Sequence, residues 1–215
     1  MKIVLRSVVL SCLLSLSVPS GAASLLVSVQ DGNGKPLVDA IVYAVPESGA
    51  PVPKLEKPAE IEQRGLRFAP LVSVVQTGSK IAFPNNDRVR HHIYSFSPAK
   101  KFDQKLYSGA MAASQVFDKA GTVVLGCNIH DSMIAYVKVV DTPYFAKSDA
   151  AGVARIELPA GVKYAVTAWH FNMVASAGIE QSVAPQAGET PTAVTFKLAM
   201  KAPLAESAPA PAYAR

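Results

Sequence analysis

The sequence predicts an all-β protein made of two small β-sandwiches, and three observations carry that expectation. Short apolar runs recur along the chain, bounded by clusters of turn residues such as Asp31-Gly32-Asn33-Gly34-Lys35-Pro36, Thr77-Gly78-Ser79-Lys80 and Asp149-Ala150-Ala151-Gly152. The length of 215 residues suits one large or two small domains, at roughly 100 to 150 residues each. Near the middle, Gly126 to Tyr136 gathers thiolate, imidazole and thioether donors on one tight loop between two strand-like runs, a rigid place to hold ligands.

The first residues read as an address rather than as structure. Lys2 and Arg6 precede the apolar run Ser7 to Val18, Pro19 ends it, and Ser20-Gly21-Ala22-Ala23 offers a small-residue cleavage point. Residues 1–23 are therefore expected to be a secretory signal peptide, which places the mature chain in the periplasm. The run is too short for a bilayer span, which needs about 20 apolar residues, and no later segment qualifies. Cys12 lies within the run and leaves with it, so Cys127 becomes the single cysteine of an exported chain. In an oxidising compartment cysteines normally pair. The readings open for an unpaired one are a small buried apolar residue, an intermolecular disulfide or a metal bond, and the nearby His130 and Met133 favour the last. Removing Lys2 and Arg6 lowers the formal charge of +5 by two. With no long Lys/Arg run and no interleaved stacking aromatics, nucleic-acid binding has little support.

Taken in order, Leu25 to Val29 is a short strand, the Asp31–Pro36 cluster turns the chain, and Ala40 to Val45 is the second arm of a hairpin. Residues 46–60 carry Pro46, Pro51, Pro53 and Pro58 and read as an irregular connector, because proline removes a ladder donor and fixes its own backbone angle. Leu66 to Pro70, Val72 to Val75 and Ile81 to Phe83 are expected as sandwich strands. Tyr94 to Pro98 finishes a strand begun at the adjacent histidines, whereas Lys100 to Asp103 and Tyr107 to Met111 suit a surface loop with a helical turn. Gln115 to Phe117 and Thr122 to Leu125 are strands. Met133 to Val140 descends from the donor loop as another. After it come Val153 to Leu158, Tyr164 to His170 and Ala193 to Met200, and the Ala/Pro-rich residues 200–215 are expected to be disordered.

Soft sulfur with imidazole suits copper, and a trigonal His2Cys set with a weak axial Met describes an electron-transfer copper site. The donor loop lacks only a second histidine, and His91 and His92 supply candidates where a polar turn gives way to an apolar strand. Alternation along a strand sends His91 and Ile93 to one face and His92 and Tyr94 to the other, so one of the two histidines can ligate. A Cys-x-x-His pair also suits zinc, although a lone exported Cys and the following Met favour copper. His170, after Trp169 on an expected strand, reads as structural or solvent-facing. Arg88, Arg90, Lys100, Lys101 and Lys105 are either a docking rim for an acidic partner or an ordinary solvated surface. Paired carboxylates, a Ser/His/Asp set and phosphate-cradling glycines are missing as recognisable motifs.

Two patterns resemble known families. Leu66-x-Phe68-x-Pro70, Gly78-x-Lys80-Ile81-x-Phe83-x-Asn85-Asn86 with His91 five residues on, and Cys127-x-x-His130-x-x-Met133 together resemble the cupredoxins, the blue-copper fold of plastocyanin, pseudoazurin and amicyanin, over Ile61 to Asp141. The ligand-loop spacing is that of amicyanin. With Asp141-Thr142-Pro143-Tyr144-Phe145 after the copper strand, the layout also resembles bacterial methylamine utilisation proteins. The segments Asp31-x-x-Gly34-Lys35-Pro36 and Leu158-Pro159-x-Gly161-x-x-Tyr164 are similar to the two halves of prealbumin-like modules.

The resemblance implies a Greek-key cupredoxin sandwich at 61–141. It sits within, or in series with, a prealbumin-like sandwich at 24–60 and 142–199, the discontinuous layout being preferred. It also implies a type 1 copper, cycling between Cu(I) and Cu(II), held by His91, Cys127, His130 and Met133, with His92 as the alternative to His91. Cupredoxins often carry an Asn after the first histidine to tie the ligand loops together, and here His92 stands in that position. The expected function is single-electron transfer, without substrate turnover, to or from a periplasmic redox enzyme or cytochrome, with His130 as the exit. A copper chaperone or storage protein and a structural β-sandwich module are the alternatives.

Overall fold

The computed structural model describes residues 21–55, 57–107, 114–175, 178–186, 188 and 190–202. The expected signal therefore lies outside them up to residue 20, and the expected disordered tail beyond residue 202. Among the described residues there is no helix, and hence none long and apolar enough to cross a membrane.

In chain order the strands are β1 (Ala22–Asp31), β2 (Ile41–Pro46), β3 (Ala59–Glu60), β4 (Glu62–Gln63), β5 (Phe68–Ala69), β6 (Val72–Gln76), β7 (Ser79–Ala82), β8 (His91–Ser97) and β9 (Lys100–Tyr107). They continue as β10 (Gln115–Phe117), β11 (Gly121–Cys127), β12 (Ile134–Val140), β13 (Phe145–Lys147), β14 (Val153–Pro159), β15 (Tyr164–Trp169), β16 (Ile179–Val183) and β17 (Thr192–Leu198).

Two pairs of sheets result, each with its own apolar core. In the first pair, the order β14-β1-β17 faces β13-β2-β15-β16. Alternation along β1 buries Leu25, Val27 and Val29 against Ile156, Leu158, Val166, Tyr164 and Phe196, as a period of two requires of a strand with one covered face. Asp31 closes the turn after β1, its Oδ1 accepting the N–H groups of Asn33 and Lys35 at 2.8 and 2.9 Å. In the second pair, β6-β12-β11-β8-β9 faces β10-β7-β3 across Ile81, Phe83, Ile93, Phe117, Val123, Leu125 and Val137. The strands before residue 47 and after residue 144 thus pair among themselves, and those from 59 to 140 do likewise.

Four elements differ from expectation. Leu25 to Val29 and Ala40 to Val45, expected as the two arms of a hairpin, do not pair: the turn after β1 carries the chain across to the facing sheet, where β2 pairs with β13 and β15 while β1 pairs with β14 and β17. Lys100 to Tyr107, expected as a loop with a helical turn, is the edge strand β9, paired only with β8. An edge strand carries one solvated face and lysines that discourage further pairing, so its apolar alternation is weak. The remainder of that expected loop, residues 108–113, lies outside the described residues. Leu66 and Arg67, expected in a strand, instead belong to the tip of the β4–β5 hairpin. Strand β16, a second exposed edge, had no counterpart in the sequence reading.

The two pairs of sheets meet through a buried cation. The β2–β15 register puts Ile41, Tyr43, Thr167 and Trp169 on one face of the sheet, opposite the face that carries Val42, Ala44, Val166 and Ala168. Lys138 of β12 points there, 6 % exposed, with Nζ 5.2 Å from the Trp169 ring centroid and 5.9 Å from that of Tyr43. Tyr136, two residues earlier, stacks on Phe171 at 4.8 Å. Ring faces attract a cation, but burial still disfavours the charge and lowers the Lys138 pKa. Between that lowered value and the ordinary lysine value near 10.4, the unfolded chain binds a proton that the folded chain does not. Stability due to this residue therefore rises with pH across that window. Replacing Lys138 with Met should leave the fold as stable or more stable by about 1 kcal/mol at pH 7. That advantage should shrink as the pH approaches 10.5, as read from denaturant unfolding of the two proteins over a pH series.

Candidate metal centre

Two strands and one loop bring the donors together. Strand β8 begins at His91, whose ring is fully buried, and β11 ends at Cys127, 2 % exposed. The strands pair antiparallel with Cys127 opposite Ile93 and Gly126 opposite Tyr94, so residues 36 apart in sequence meet with His91 Nδ1 3.8 Å from Cys127 Sγ. Residues 128–133 then loop back toward β12. The loop is closed by the Met133 N–H donating to the His130 carbonyl at 2.8 Å, while the Asn128 N–H reaches the His92 carbonyl at 3.3 Å. The half-buried His130 ring packs edge-on against His91, centroids 5.2 Å apart. One donor atom from each of His91, Cys127 and His130 lies within 4.8 Å of the other two.

Hydrogen-bond accounting separates a site from a packed cluster. A buried ring nitrogen without a partner costs free energy, and His130 Nδ1 is such an atom. The other nitrogen of His91 is occupied, because Nε2 meets Asp87 Oδ2 at 2.8 Å. His91 Nδ1 is thereby turned to the Cys127 sulfur at 3.8 Å, and His130 Nδ1 is left without a partner, a nitrogen and sulfur set that fits a bound soft cation. Met133 is 1 % exposed and follows His130 by one tight turn. Its burial agrees equally with packing, since Met133 also belongs to the apolar core.

The other histidines are placed elsewhere. His92 faces outward, 20 % exposed, and its Nε2 pairs with Asp103 of β9. It does tie the ligand loop to β8, but by its backbone carbonyl and not by its imidazole. His170-x-x-Met173 repeats the spacing of His130-x-x-Met133, yet both of its ring nitrogens are engaged, Nε2 with the Val38 carbonyl at 3.2 Å and Nδ1 with the Asn172 N–H at 3.0 Å. The Met173 sulfur accepts the His170 N–H. Desolvation lowers the His170 pKa, outweighing the opposing effects of the Val38 carbonyl and Asp39, as befits a neutral structural histidine.

Sequence reasoning missed the residues that support His91. Asn85, 3 % exposed, donates from Nδ2 to the carbonyls of Val89 and Tyr107 at 2.8 and 3.0 Å and accepts the Asp87 N–H on Oδ1 at 3.0 Å. Desolvation alone would raise the Asp87 pKa, but the hydrogen bonds from His91, Leu66 and Gly65 together hold it below the usual carboxylate range. Tyr107, opposite His91 in the β8–β9 ladder, donates to the Phe83 carbonyl at 2.6 Å. Burial pushes its pKa up to about 12, the Cys127 sulfur adding to the rise against a lowering hydrogen bond from Gln63. The one signal for these supports was the Asn85-x-Asp87-x-x-x-His91 spacing, an Asx turn with a carboxylate four residues before the candidate histidine.

No protein-family model matches the chain, and a search of curated proteins returns no match. Solved structures give partial likenesses. A purple cupredoxin from Nitrosopumilus maritimus is 22 % identical over 38 % of this chain and 98 % of its own, with a TM-score of 0.34. A methionine-to-glutamine variant of amicyanin, in the Cu(I) state, is 16 % identical over 38 % of this chain and 81 % of its own, TM-score 0.36. A copper-containing nitrite reductase from Thermus scotoductus SA-01 is 20 % identical over 44 % of this chain and 26 % of its own, TM-score 0.36.

Gly126 leaves room for the Tyr94 ring beside the Cys127 backbone. A Cβ at this position would lie 2.8 Å from Tyr94 Cζ and 2.9 Å from its hydroxyl oxygen. Gly126→Ala should therefore cost about 1–3 kcal/mol. Combining it with Tyr94→Ala, which removes the clash, should cost less than the sum of the two single changes. Urea midpoints of the three variants check this.

Proposed function

We propose that the chain is an exported copper protein that carries single electrons between redox partners, with His91, Cys127, His130 and Met133 as the copper ligands. The observation that supports this most is the convergence of three donor atoms within 4.8 Å, beside a buried His130 nitrogen with no hydrogen-bond partner. Thiolate, two imidazoles and a thioether form the soft donor set expected of a type 1 copper site. Copper in such a set supplies a one-electron couple between Cu(I) and Cu(II). The chain's own contribution is to hold the donors still: His91 and Cys127 sit on paired strands, and the 128–133 loop is closed by its own backbone hydrogen bond. Donors held in one geometry need little rearrangement when the charge at their centre changes.

Around that centre we read residues 61–141 as a cupredoxin domain carried by a discontinuous prealbumin-like host at 24–60 and 142–199, in the arrangement of methylamine utilisation proteins. Residues 1–23 would direct the chain to the periplasm, and cleavage after Ala23 would remove only the first two residues of β1. Arg88, Arg90, Lys101 and Lys105 are exposed, and their charge favours a partner that is acidic at its docking face, a redox enzyme or a cytochrome. Turnover of a substrate is not part of this reading.

Adding Cu(II) to the purified mature chain should give an intense blue or green colour at one copper per chain. Cys127→Ser and His91→Ala should abolish it and His92→Ala should keep it. A colourless Cu(I) complex that passes its metal to a partner would mark a copper-handling protein instead, and absence of copper uptake would leave a structural module.

A further inference from the structure

Asp87 is the meeting point of three otherwise separate segments. Its side chain is 11 % exposed. Oδ1 accepts the Gly65 N–H at 2.6 Å, and Oδ2 accepts the Leu66 N–H at 3.1 Å as well as meeting His91 Nε2 at 2.8 Å. Gly65 and Leu66 form the tip of the β4–β5 hairpin, closed by the Arg64 N–H donating to the Arg67 carbonyl at 3.0 Å. Their φ angles are +62° and +59°. Successive left-handed residues turn their N–H groups to the same side and make a small concavity for an anion. Glycine takes that angle freely, whereas a leucine does not. Leu66 is moreover 44 % exposed, so its side-chain burial does little to offset the strained backbone. Strain held in place by surrounding contacts is a pointer to function, and the contact that both amides make is the Asp87 carboxylate.

An ionised carboxylate can only accept hydrogen bonds. Its contact with His91 Nε2 therefore requires the proton on that nitrogen and, in the neutral ring, leaves Nδ1 as a lone pair, 3.8 Å from Cys127 Sγ. We propose that Asp87 is a positioning residue for the metal centre, held by the 64–67 hairpin tip, which fixes His91 in its Nε2–H tautomer and ring plane and, by its negative charge, favours the divalent over the monovalent state of the bound copper. The proposal rests on the reading of His91, Cys127 and His130 as copper ligands. It goes beyond that reading in assigning a carboxylate outside the ligand set, and the loop that presents it, a share in choosing the oxidation state. The physical basis is general: a ligating imidazole that donates its other N–H to a carboxylate is oriented by it and made more basic, and a more basic ligand stabilises the ion of higher charge more.

Two measurements on the mature chain test this. In the copper-free protein, long-range proton–nitrogen correlations should show His91 as the Nε2–H tautomer. Asp87→Ala should admit the Nδ1–H form, while Asp87→Asn, whose side-chain oxygen still accepts, should keep Nε2–H. In competition titrations, both variants should lose about 10- to 100-fold in Cu(II) affinity and distinctly less in Cu(I) affinity, so that the Cu(II)-to-Cu(I) affinity ratio falls at least threefold and the reduction potential rises. A purely structural role for Asp87 would lower both affinities together or leave both alone. An Nδ1–H tautomer in the wild-type copper-free protein overturns the proposal without any variant. So does a wild-type affinity ratio in a folded Asp87→Asn protein, in which case the copper reading stands and only the role of Asp87 falls. If the wild-type chain takes up no copper at all, both fall together.

Discussion

The antiparallel pairing of β8 with β11 is the constraint on which the donor arrangement depends. It sets Cys127 against Ile93 and Gly126 against Tyr94, and so places His91, two residues before Ile93, at the end of the sheet where Cys127 leaves it. A shift of one residue would turn every side chain of one strand to the opposite face, exchanging the buried His91 for the outward His92. That register is held by apolar side chains far from the donors. Ile93 of β8 and Val123 and Leu125 of β11 are fully buried in the second core, and a slip would expose those of whichever strand turned over. The thiol and imidazole are thus brought together by hydrocarbon packing.

Much of the strand pattern could be read from residue order because most strands have one covered face and closing turns with their own chemistry. Asp31 and Asp149 show this, each capping the backbone of the residues that follow. The donors were equally visible, since Cys127, His130 and Met133 lie within one short loop. Edges and tips were harder. β9 pairs on one side only, and its lysines conceal the alternation that Phe102 and Tyr107 carry inward. Leu66 has the composition of a strand residue, yet it turns left-handed because a carboxylate from a segment about twenty residues downstream takes its N–H. No local propensity can announce a contact of that kind, because the partner is chosen by the fold and not by the neighbouring sequence.

His130-x-x-Met133 and His170-x-x-Met173 show how little spacing alone decides. Each closes a tight turn, with the Met N–H donating to the His carbonyl at 2.8 and 3.1 Å respectively. What separates them is hydrogen-bond satisfaction. His170 has both ring nitrogens engaged and a methionine sulfur turned onto its own backbone, whereas His130 keeps a buried nitrogen with no partner. The first is a finished piece of structure, and the second leaves one nitrogen over.

Strand β1 lies between β14 and β17, antiparallel to one and parallel to the other, with Asp31 opposite Leu198. The first strand of the described chain is therefore sealed by the last. A polypeptide emerging amino end first must keep one backbone edge of β1 open until β14 is delivered and the other until β17 is, and pairings between such distant segments form slowly because the intervening loop must close first. Shortening the chain at its carboxyl end before Thr192 would leave an apolar ribbon free to pair with another molecule. For this topology, the hazard of premature self-association outlasts the synthesis of the donor loop and ends only when Thr192 to Leu198 is in place.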